Sequence, residues 1–171
     1  MTETSKQYAL ALFSLASNDK QTDGIYSEFH QFVDGFDDSS RKFFLHPKIE
    51  NKDKREVVVK VLNNPLLINF LKTVIDNNRF SFIEEILKAY KDLLNESQNI
   101  AEISIFTQKA LSEENKNKLI NKFTKALNKK IMINEVINPS IVGGVRIEYQ
   151  GNVLDQTINA SLEQFKSSLI G

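Results

Sequence analysis

The glycines of this 171-residue chain are concentrated in one segment near its carboxyl end. Three of the six glycines lie within nine residues, and Gly143 and Gly144 are adjacent, shortly after Pro139. A glycine pair near a proline indicates a backbone path that side chains would obstruct. The apolar residues around the pair alternate as in a β-strand, whereas nearly all of the earlier sequence has helical periodicity. We therefore expect two parts of different construction, with two different tasks.

The composition argues against several classes of protein. The 41% hydrophobic share is enough for a packed core. With 22 basic and 22 acidic residues the net charge is zero, which argues against a dedicated nucleic-acid binder because such proteins depend on excess Lys and Arg. The lack of cysteine excludes disulfides, thiolate zinc sites and cysteine nucleophiles. No apolar run approaches the roughly 20 residues of a membrane span, and the first residues lack the layout of a signal peptide, so we expect no direct membrane insertion.

Residues 1–98 are predicted to form a bundle of six amphipathic helices, one of them short. Thr4 or Ser5 is the expected cap of the first helix, residues 37–40 are a break with a new cap, and Pro65 suits the start of the fifth helix. The residues expected to face the core repeat at helical spacing. They are Ile25, Phe29, Phe32, Val33, Phe36, Val57, Val58, Val61, Leu62, Leu67, Phe70, Leu71, Val74, Ile75, Ile83, Ile86, Leu87, Tyr90 and Leu94.

Residues 99–171 are predicted to form a small α+β domain in the order strand, helix, two or three strands, helix. Ser112, followed by two acidic residues, opens the first of these helices, and Asp155 is expected to cap the last one. The predicted strands are 99–106, 130–136, 142–149 and 153–154, and the last helix is predicted to turn Ile158, Leu162, Phe165 and Leu169 inward. The expected fold class is therefore mainly α with a small α+β part.

No group of residues has the pattern that catalysis requires. His30 and His46 lie on different predicted elements, and neither has a metal-ligating neighbour at the spacing that zinc sites need. The carboxylates of Asp37-Asp38 and of Glu84-Glu85 are adjacent, so each pair should point apart and serve poorly in acid–base catalysis. A phosphate loop at Gly143-Gly144 would require a following Lys and a helix, and both are missing. We expect no catalytic residue, no metal and no cofactor.

A stripe of four lysines follows the helix that begins after Ser112. The simpler interpretation is a solvated face opposite the core, and the alternative is a binding site for an acidic partner or a membrane surface. The lysines are Lys118, Lys122, Lys125 and Lys129, and the opposite face carries Leu119, Phe123, Ala126 and Leu127.

The first helix has apolar residues on two sides. One stripe comprises Tyr8, Ala9, Leu12, Phe13 and Ala16. A surface helix should have only this one stripe, yet Leu10, Ala11 and Leu15 leave the other side apolar as well. Either the helix is central in the bundle, which periodicity slightly favours, or its second side is part of a groove for a helix of another protein. The helix over residues 66–78 is the second candidate wall, because Leu66 and Ile68 extend its apolar face.

Five segments resemble one known family, the delta subunits of bacterial F-type ATP synthases and their mitochondrial relative, the oligomycin-sensitivity-conferring protein. The segments are Tyr-Ala-Leu-Ala-Leu-Phe-Ser-Leu-Ala at 8–16, Asn-Phe-Leu-Lys-Thr-Val-Ile-Asp-Asn-Asn-Arg at 69–79, Ala-Leu-Ser-Glu-Glu at 110–114, Ile-Asn-Pro-Ser-Ile-Val-Gly-Gly-Val-Arg-Ile-Glu at 137–148 and Val-Leu-Asp at 153–155. They occur in the family's order and spacing over nearly the whole chain. The fourth segment, with its glycine pair, is the most specific.

The resemblance implies a non-catalytic stator subunit, present in one copy at the cytoplasmic face of a bacterial membrane. In the family, the helical domain binds amino-terminal helices of the head's alpha subunits, in a groove between the first and fifth helices. The carboxyl-terminal domain holds the b subunit of the peripheral stalk during proton-driven ATP synthesis. By this resemblance the residues near the groove are Tyr8, Ala11, Leu12, Leu15, Phe70, Val74 and Asn77, and the structural signature is Gly143, Gly144 and Asp155.

The chain departs from the family pattern near its end. Gln156 and Thr157 replace the family's usual Gly-Ser after the aspartate, and Lys166 is the main basic residue of the predicted last helix. The first departure leaves a cap in place, because Thr157 can still bond backbone groups near the predicted helix start. The second concerns charge-based contacts of that helix. A helical adaptor with unrelated partner helices is the alternative function, although such a protein would have no reason to carry the glycine-pair segment.

Overall fold

The computed structural model describes residues 1–149 and 152–157. The chain divides into two compact units, Met1–Leu94 and Asn95–Gly171. It is mainly helical and has a small four-stranded mixed sheet in the second unit. The helices are α1 Glu3–Asn18, α2 Thr22–Asp34, α3 Asp38–Leu45, α4 Asn51–Val61, α5 Pro65–Asp76, α6 Ile83–Ser97 and α7 Glu113–Leu127, with a 3-10 turn at Phe80–Phe82. The strands are β1 Ile100–Thr107, β2 Lys130–Ile137, β3 Gly144–Tyr149 and β4 Asn152–Thr157.

Polar side chains at the helix starts set where several helices begin. Asp37 caps α3, because its carboxylate accepts a 2.7 Å hydrogen bond from the Ser40 amide. Hydrogen bonds from Ser40 lower the pKa of Asp37. Asn64 caps α5, and the first residue of the helix is Pro65, as predicted. The predicted cap of α1 was wrong. Thr2 occupies that position, because its hydroxyl accepts the Ser5 amide hydrogen bond.

One continuous core holds the first unit together. Its buried members come from all six helices and from the 3-10 turn. Nearly every apolar residue predicted to face inward is buried or, like Phe36, Val57 and Leu87, partly buried against this core. Val61 is the exception, since 57% of its surface is exposed at the last residue of α4. The inward stripe of α4 is therefore narrower than periodicity suggested: Val58 is buried, Val57 packs partly buried against the core, and Leu62, which follows the helix, is buried.

The sheet of the second unit has the strand order β2-β1-β3-β4. Strand β2 is parallel to β1, with Ile103 opposite Ile133, while β3 and β4 are antiparallel to their neighbours. A parallel pair requires a crossover, and α7 provides it between β1 and β2. The alternate residues of β1 are buried, and α7 packs its apolar side on this face. The buried residues of β1 are Ala101, Ile103, Ile105 and Thr107.

The prediction for Asp155 was wrong. Asp155 lies inside β4, opposite Arg146 of β3, because the strand continues to Thr157 instead of ending at 154. An extended residue in a paired strand does not occupy the N-cap position of a helix at that point. The predicted last helix, with Ile158, Leu162, Phe165 and Leu169, lies outside the described residues.

The glycine pair precedes and opens β3. Gly143 lies in a bend, and Gly144 begins the strand with a φ of 84°. That backbone conformation is one that residues with a Cβ rarely adopt. Immediately upstream, Asn138 accepts hydrogen bonds from the backbone and hydroxyl of Ser140, at 3.0 and 2.7 Å, which closes the turn through Pro139. The segment thus redirects the chain into a strand that pairs with β1.

Candidate functional site

Helices α1 and α5 pack side by side and in opposite directions. At one end, the side-chain amide of Asn77, just past α5, donates a 2.9 Å hydrogen bond to the Tyr8 hydroxyl. At the other end, the side-chain amide of Asn64 donates a 2.9 Å hydrogen bond to Gln21, which follows α1. Between these ends the rings of Tyr8 and Phe70 meet edge to face, 6.2 Å apart. The first and fifth helices are therefore neighbours, as two walls of one surface would have to be.

The predicted groove residues divide by burial into two groups. Ala11, Leu15 and Asn77 are exposed, and Tyr8 is partly exposed between the two helices. The other members, Leu12, Phe70 and Val74, belong to the buried core beneath them. The structure thus brings all seven residues to one pair of helices, with the exposed members at the surface and the buried members supporting it.

The second apolar side of α1 faces solvent, so the helix is not enclosed by the first unit. Leu10 and Leu15 are 56% and 54% exposed. The central position, which periodicity slightly favoured, is therefore wrong for α1. Tyr8, Ala11 and Leu15 recur at a spacing of three and four residues and form one stripe beside α5, whereas Leu10 lies about 140° away from Leu15 around the helix.

Helix α5 adds uncharged polar residues to this surface. Asn69, Thr73 and Asn77 are exposed and recur every four residues, which places them on one face of α5. The Thr73 hydroxyl donates a 3.0 Å hydrogen bond to the Asn69 backbone carbonyl, and this bond fixes the orientation of the Thr73 side chain. Sequence reasoning missed Asn69 and Thr73, although their spacing from Asn77 was a usable signal. We call Tyr8, Ala11, Leu15, Asn69, Thr73 and Asn77 the α1–α5 surface.

The amino end of α1 is anchored by a carboxylate of α6. The Glu85 carboxylate accepts hydrogen bonds from the Thr2 backbone amide at 2.7 Å and from the Ser5 hydroxyl at 3.0 Å. The amide of Thr2 and the hydroxyl of Ser5 lower the pKa of Glu85, because they stabilise its charged form. Since Ser5 is fully buried, this contact fixes the start of the helix that carries the exposed stripe.

The residues considered for catalysis have structural contacts instead. Glu84 pairs with Arg41 of α3, while Glu85 binds the start of α1, so the adjacent carboxylates point to different partners. His30 lies 3.6 Å from Asp34 on the same helix, and the His46 ring accepts a hydrogen bond from the Lys48 amide. Within the described residues, no group of three His, Asp or Glu side chains could hold a metal ion.

The lysine stripe of α7 lies away from the sheet. Lys118, Lys122 and Lys125 are exposed, and Lys118 pairs with Glu114 one turn earlier at 2.6 Å. Leu119, Phe123 and Leu127 pack on the sheet core from the opposite side, as predicted. Ala126, also predicted to face the core, is exposed. These positions fit the solvated-face interpretation.

A comparison of the whole sequence with known families identifies the chain. The sequence profile of the family described as "ATP synthase delta (OSCP) subunit" matches residues 4–169. The chain belongs to this family. It is therefore a stator subunit of the F-type ATP synthase, a structural component of an enzyme complex.

Curated relatives of this delta-family chain match it over nearly its full length. ATP synthase subunit delta of Oceanobacillus iheyensis is 30% identical over 170 residues, which cover 96% of this chain and 94% of the relative. The subunit delta of Halalkalibacterium halodurans is 31% identical over 170 residues, with 96% and 93% covered. The resemblance inferred from five short segments is thereby confirmed for the whole sequence.

A solved structure shares the fold of the delta-family chain. It is a chain of the Toxoplasma gondii mitochondrial ATP synthase hexamer, with a TM-score of 0.77, 20% sequence identity, and coverage of 100% of this chain and 99% of that one. At this identity the match concerns the fold alone. Within the described residues, no helix is both long and apolar enough to span a membrane.

Proposed function

We propose that this stator subunit joins the catalytic head to the peripheral stalk through its two units. The first unit binds amino-terminal helices of the head's alpha subunits on the α1–α5 surface, and the second unit holds the b subunit. The observation that carries the proposal is the exposed apolar stripe on α1, where Leu15 lies beside α5 with 54% of its surface in solvent. A single copy then prevents the head from turning with the rotor.

The proposed binding mode is a helix in a groove. Apolar side chains of a partner helix at i, i+3, i+4 and i+7 would cover Tyr8, Ala11 and Leu15 on α1, while Thr73 and Asn77 of α5 offer hydrogen-bonding groups at the other wall. The small side chain of Ala11 permits close approach between helix backbones. Apolar burial stabilises such contact by about 25 cal/mol per Å², before the costs of association are subtracted.

The buried members of the predicted set support the surface rather than touch the partner. Leu12 and Val74 have no exposed area, and Phe70 contacts both Tyr8 and Phe29 by edge-to-face ring packing. Because these side chains keep α1 and α5 at a constant separation, the surface is largely formed before the partner arrives. A pre-formed joint suits a part that must resist torque, since ordering costs on binding are then small.

The decisive experiment measures binding of the alpha-subunit amino-terminal peptide to the full chain. Leu15→Asp places a charge in the apolar stripe, and we expect at least about tenfold weaker binding, since burying a leucine contributes about 1.5–3 kcal/mol. Fluorescence anisotropy gives the affinity, and circular dichroism shows that the variant still folds, as expected for an exposed position.

Leu10→Asp is the matched control, because Leu10 is as exposed as Leu15 on the same helix but faces another direction. Its affinity should stay within about twofold of the parent value. Equal losses in both variants, or an unchanged affinity in a folded Leu15→Asp chain, would remove the α1–α5 surface from the proposal.

The proposed place between head and stalk is tested by co-purification. Co-purification of the chain from the native membrane should recover the ATP synthase head together with the b subunit, at one copy of this chain per complex and at the cytoplasmic face. Recovery with unrelated helical proteins would instead support the alternative adaptor function.

A further inference from the structure

A second surface of the first unit, between α4 and α5, has a basic rim and an apolar floor. It is a depression of about 460 Å³ lined by Lys52, Arg55, Glu56, Val59, Lys60 and Lys72. The five residues from α4 recur at i, i+3, i+4, i+7 and i+8, so they form one helix face. Lys72 comes from α5, which runs antiparallel to α4, as the hydrogen bond from Asn51 to the Ile75 carbonyl shows.

The charge of this depression is positive although the chain as a whole is neutral. Arg55 is neutralised by Asp76, whose two carboxylate oxygens lie 3.0 and 3.1 Å from one guanidinium nitrogen. The ammonium groups of Lys52, Lys60 and Lys72 have no ion-pair partner among the described residues, and Glu56 is the only carboxylate in the lining. The depression therefore has three ammonium groups that are unpaired within the described part of the chain and one carboxylate, besides the paired Arg55.

The floor of the depression is apolar. Val59 is 48% exposed in the half of the depression nearer the end of α4. The aliphatic stems of the surrounding lysines extend this apolar area, because lysine keeps only its ammonium group in water. An occupant that covers Val59 and meets the lysines must therefore combine an apolar anchor with carboxylates.

We propose that the α4–α5 depression binds an acidic amphipathic helix of a partner protein. Lys52 and Lys60 are eight residues apart, which separates them by about 12 Å along α4. A partner helix laid along the pair would match them with carboxylates about two turns apart. The apolar residue that covers Val59 would lie within one turn of the carboxylate that meets Lys60, because Val59 is seven residues from Lys52 and one from Lys60. The lining favours carboxylates over the phosphates of a membrane surface, because its single arginine, the residue type best suited to phosphate, is already paired with Asp76.

This surface is separate from the α1–α5 surface. Five of its six lining residues come from α4, which contributes nothing to the α1–α5 surface, and Lys72 of α5 lies at the border between the two surfaces, about 60° from Asn69 around the helix. The proposal does not depend on the alpha-subunit interaction, since different faces and different chemistry are involved.

The test uses the full chain and a synthetic helical peptide of Ala, Leu and Glu, in which two glutamates lie about two turns apart and one leucine lies on the same face within one turn of one of them. A permuted peptide of the same composition, with the leucine and the glutamates on opposite faces, is the control ligand. We expect the patterned peptide to bind at low salt, with the permuted peptide at least about tenfold weaker. Equal binding of the two peptides, or no binding of either, overturns the proposal.

Variants identify the surface. Lys60→Glu combined with Lys72→Glu should weaken binding of the patterned peptide at least about tenfold, and Val59→Asp should do the same by removing the apolar floor. Lys42→Glu, an exposed lysine on α3, should leave affinity within about twofold, and so should Leu15→Asp. An unchanged affinity in the folded double variant overturns the assignment. Lysine-dependent binding to phosphatidylglycerol vesicles without peptide binding would point to a membrane surface and would also overturn it.

Discussion

Individual residues in this chain have roles that depend on backbone geometry as much as on chemistry. Gly144 carries a φ of 84° at the start of β3, and in the resemblance to the family it stands in the most specific segment. Gly24, in the first turn of α2, has ordinary helical geometry, and a Cβ added there would meet no atom within 4 Å. The backbone conformation at position 144 therefore favours a residue without a side chain, whereas position 24 has room for one.

Replacement by alanine should shift stability in opposite directions at these two glycines. Gly144→Ala forces a side chain into the left-handed region and should destabilise the chain by about 1–3 kcal/mol. Gly24→Ala should stabilise it by up to about 1 kcal/mol, because alanine loses less backbone entropy in a helix. Urea unfolding of the full chain followed by circular dichroism measures both. If Gly144→Ala is as stable as Gly24→Ala, backbone conformation does not explain the glycine pair.

At the scale of elements, packing and hydrogen bonds place the helices where sequence patterns alone leave choices. Apolar stripes predicted that α5 has a buried face, but its antiparallel contact with α1 follows from contacts at the two ends of the pair. In the second unit, Glu135 of β2 connects two elements. Its carboxylate accepts a hydrogen bond from the Leu111 amide and lies 3.0 Å from the Lys116 ammonium group of α7.

These contacts should make the second unit sensitive to pH at both extremes. The Leu111 amide and then Lys116 lower the pKa of Glu135 from its ordinary value of 4.5, so its stabilisation is present above that pH and is lost as pH falls through the folded-state pKa. The pKa of Lys116 is raised from 10.5, mainly by its hydrogen bond with Glu135. The stability that Lys116 contributes is therefore fully present below pH 10.5 and is lost as pH rises through the folded-state pKa.

Glu135→Gln tests this connection. It should lower the urea midpoint of the second unit at neutral pH, and the difference from the parent chain should disappear in acid, where the parent's Glu135 is protonated. Amide exchange of β1 and β2 reports on this unit. Glu114→Gln is the control, because its exposed pair with Lys118 contributes only about 0–1 kcal/mol. A midpoint difference that persists unchanged into acid would mean that the carboxylate charge is not the cause.

At the scale of the whole molecule, a neutral chain presents surfaces of different character. The α1–α5 surface contains no Asp, Glu, Lys, Arg or His, whereas the α4–α5 depression has three lysines without ion-pair partners among the described residues. Net charge therefore excluded a strong field over the whole protein, but it did not reveal how charge is distributed. Two partners of different chemistry can be accommodated on one helical unit.

The affinities of the two surfaces for their peptides should depend differently on salt concentration. Raising ionic strength from about 50 mM to about 300 mM should change the affinity for the alpha-subunit peptide by less than about twofold, since the α1–α5 surface contains no side chain that is charged at neutral pH. The same change should weaken the acidic helical peptide severalfold, because it screens the lysines. Titrations with both peptides measure this contrast, and a large salt effect on the alpha-subunit peptide would indicate that charged residues outside the surface contribute.

The sequence by itself determined the family, the helical and mixed α/β composition of the two parts, and most buried residues. These depend on periodicity, turn residues and the segment around Gly143-Gly144, which are local properties of the chain. Tertiary structure decided what periodicity could not: that Leu10 and Leu15 remain in solvent, that α1 and α5 run antiparallel, and that Asp155 continues a strand. The reason is physical. A helix with two apolar sides can bury either one or both, and only the packing of its neighbours determines which side remains available for a partner.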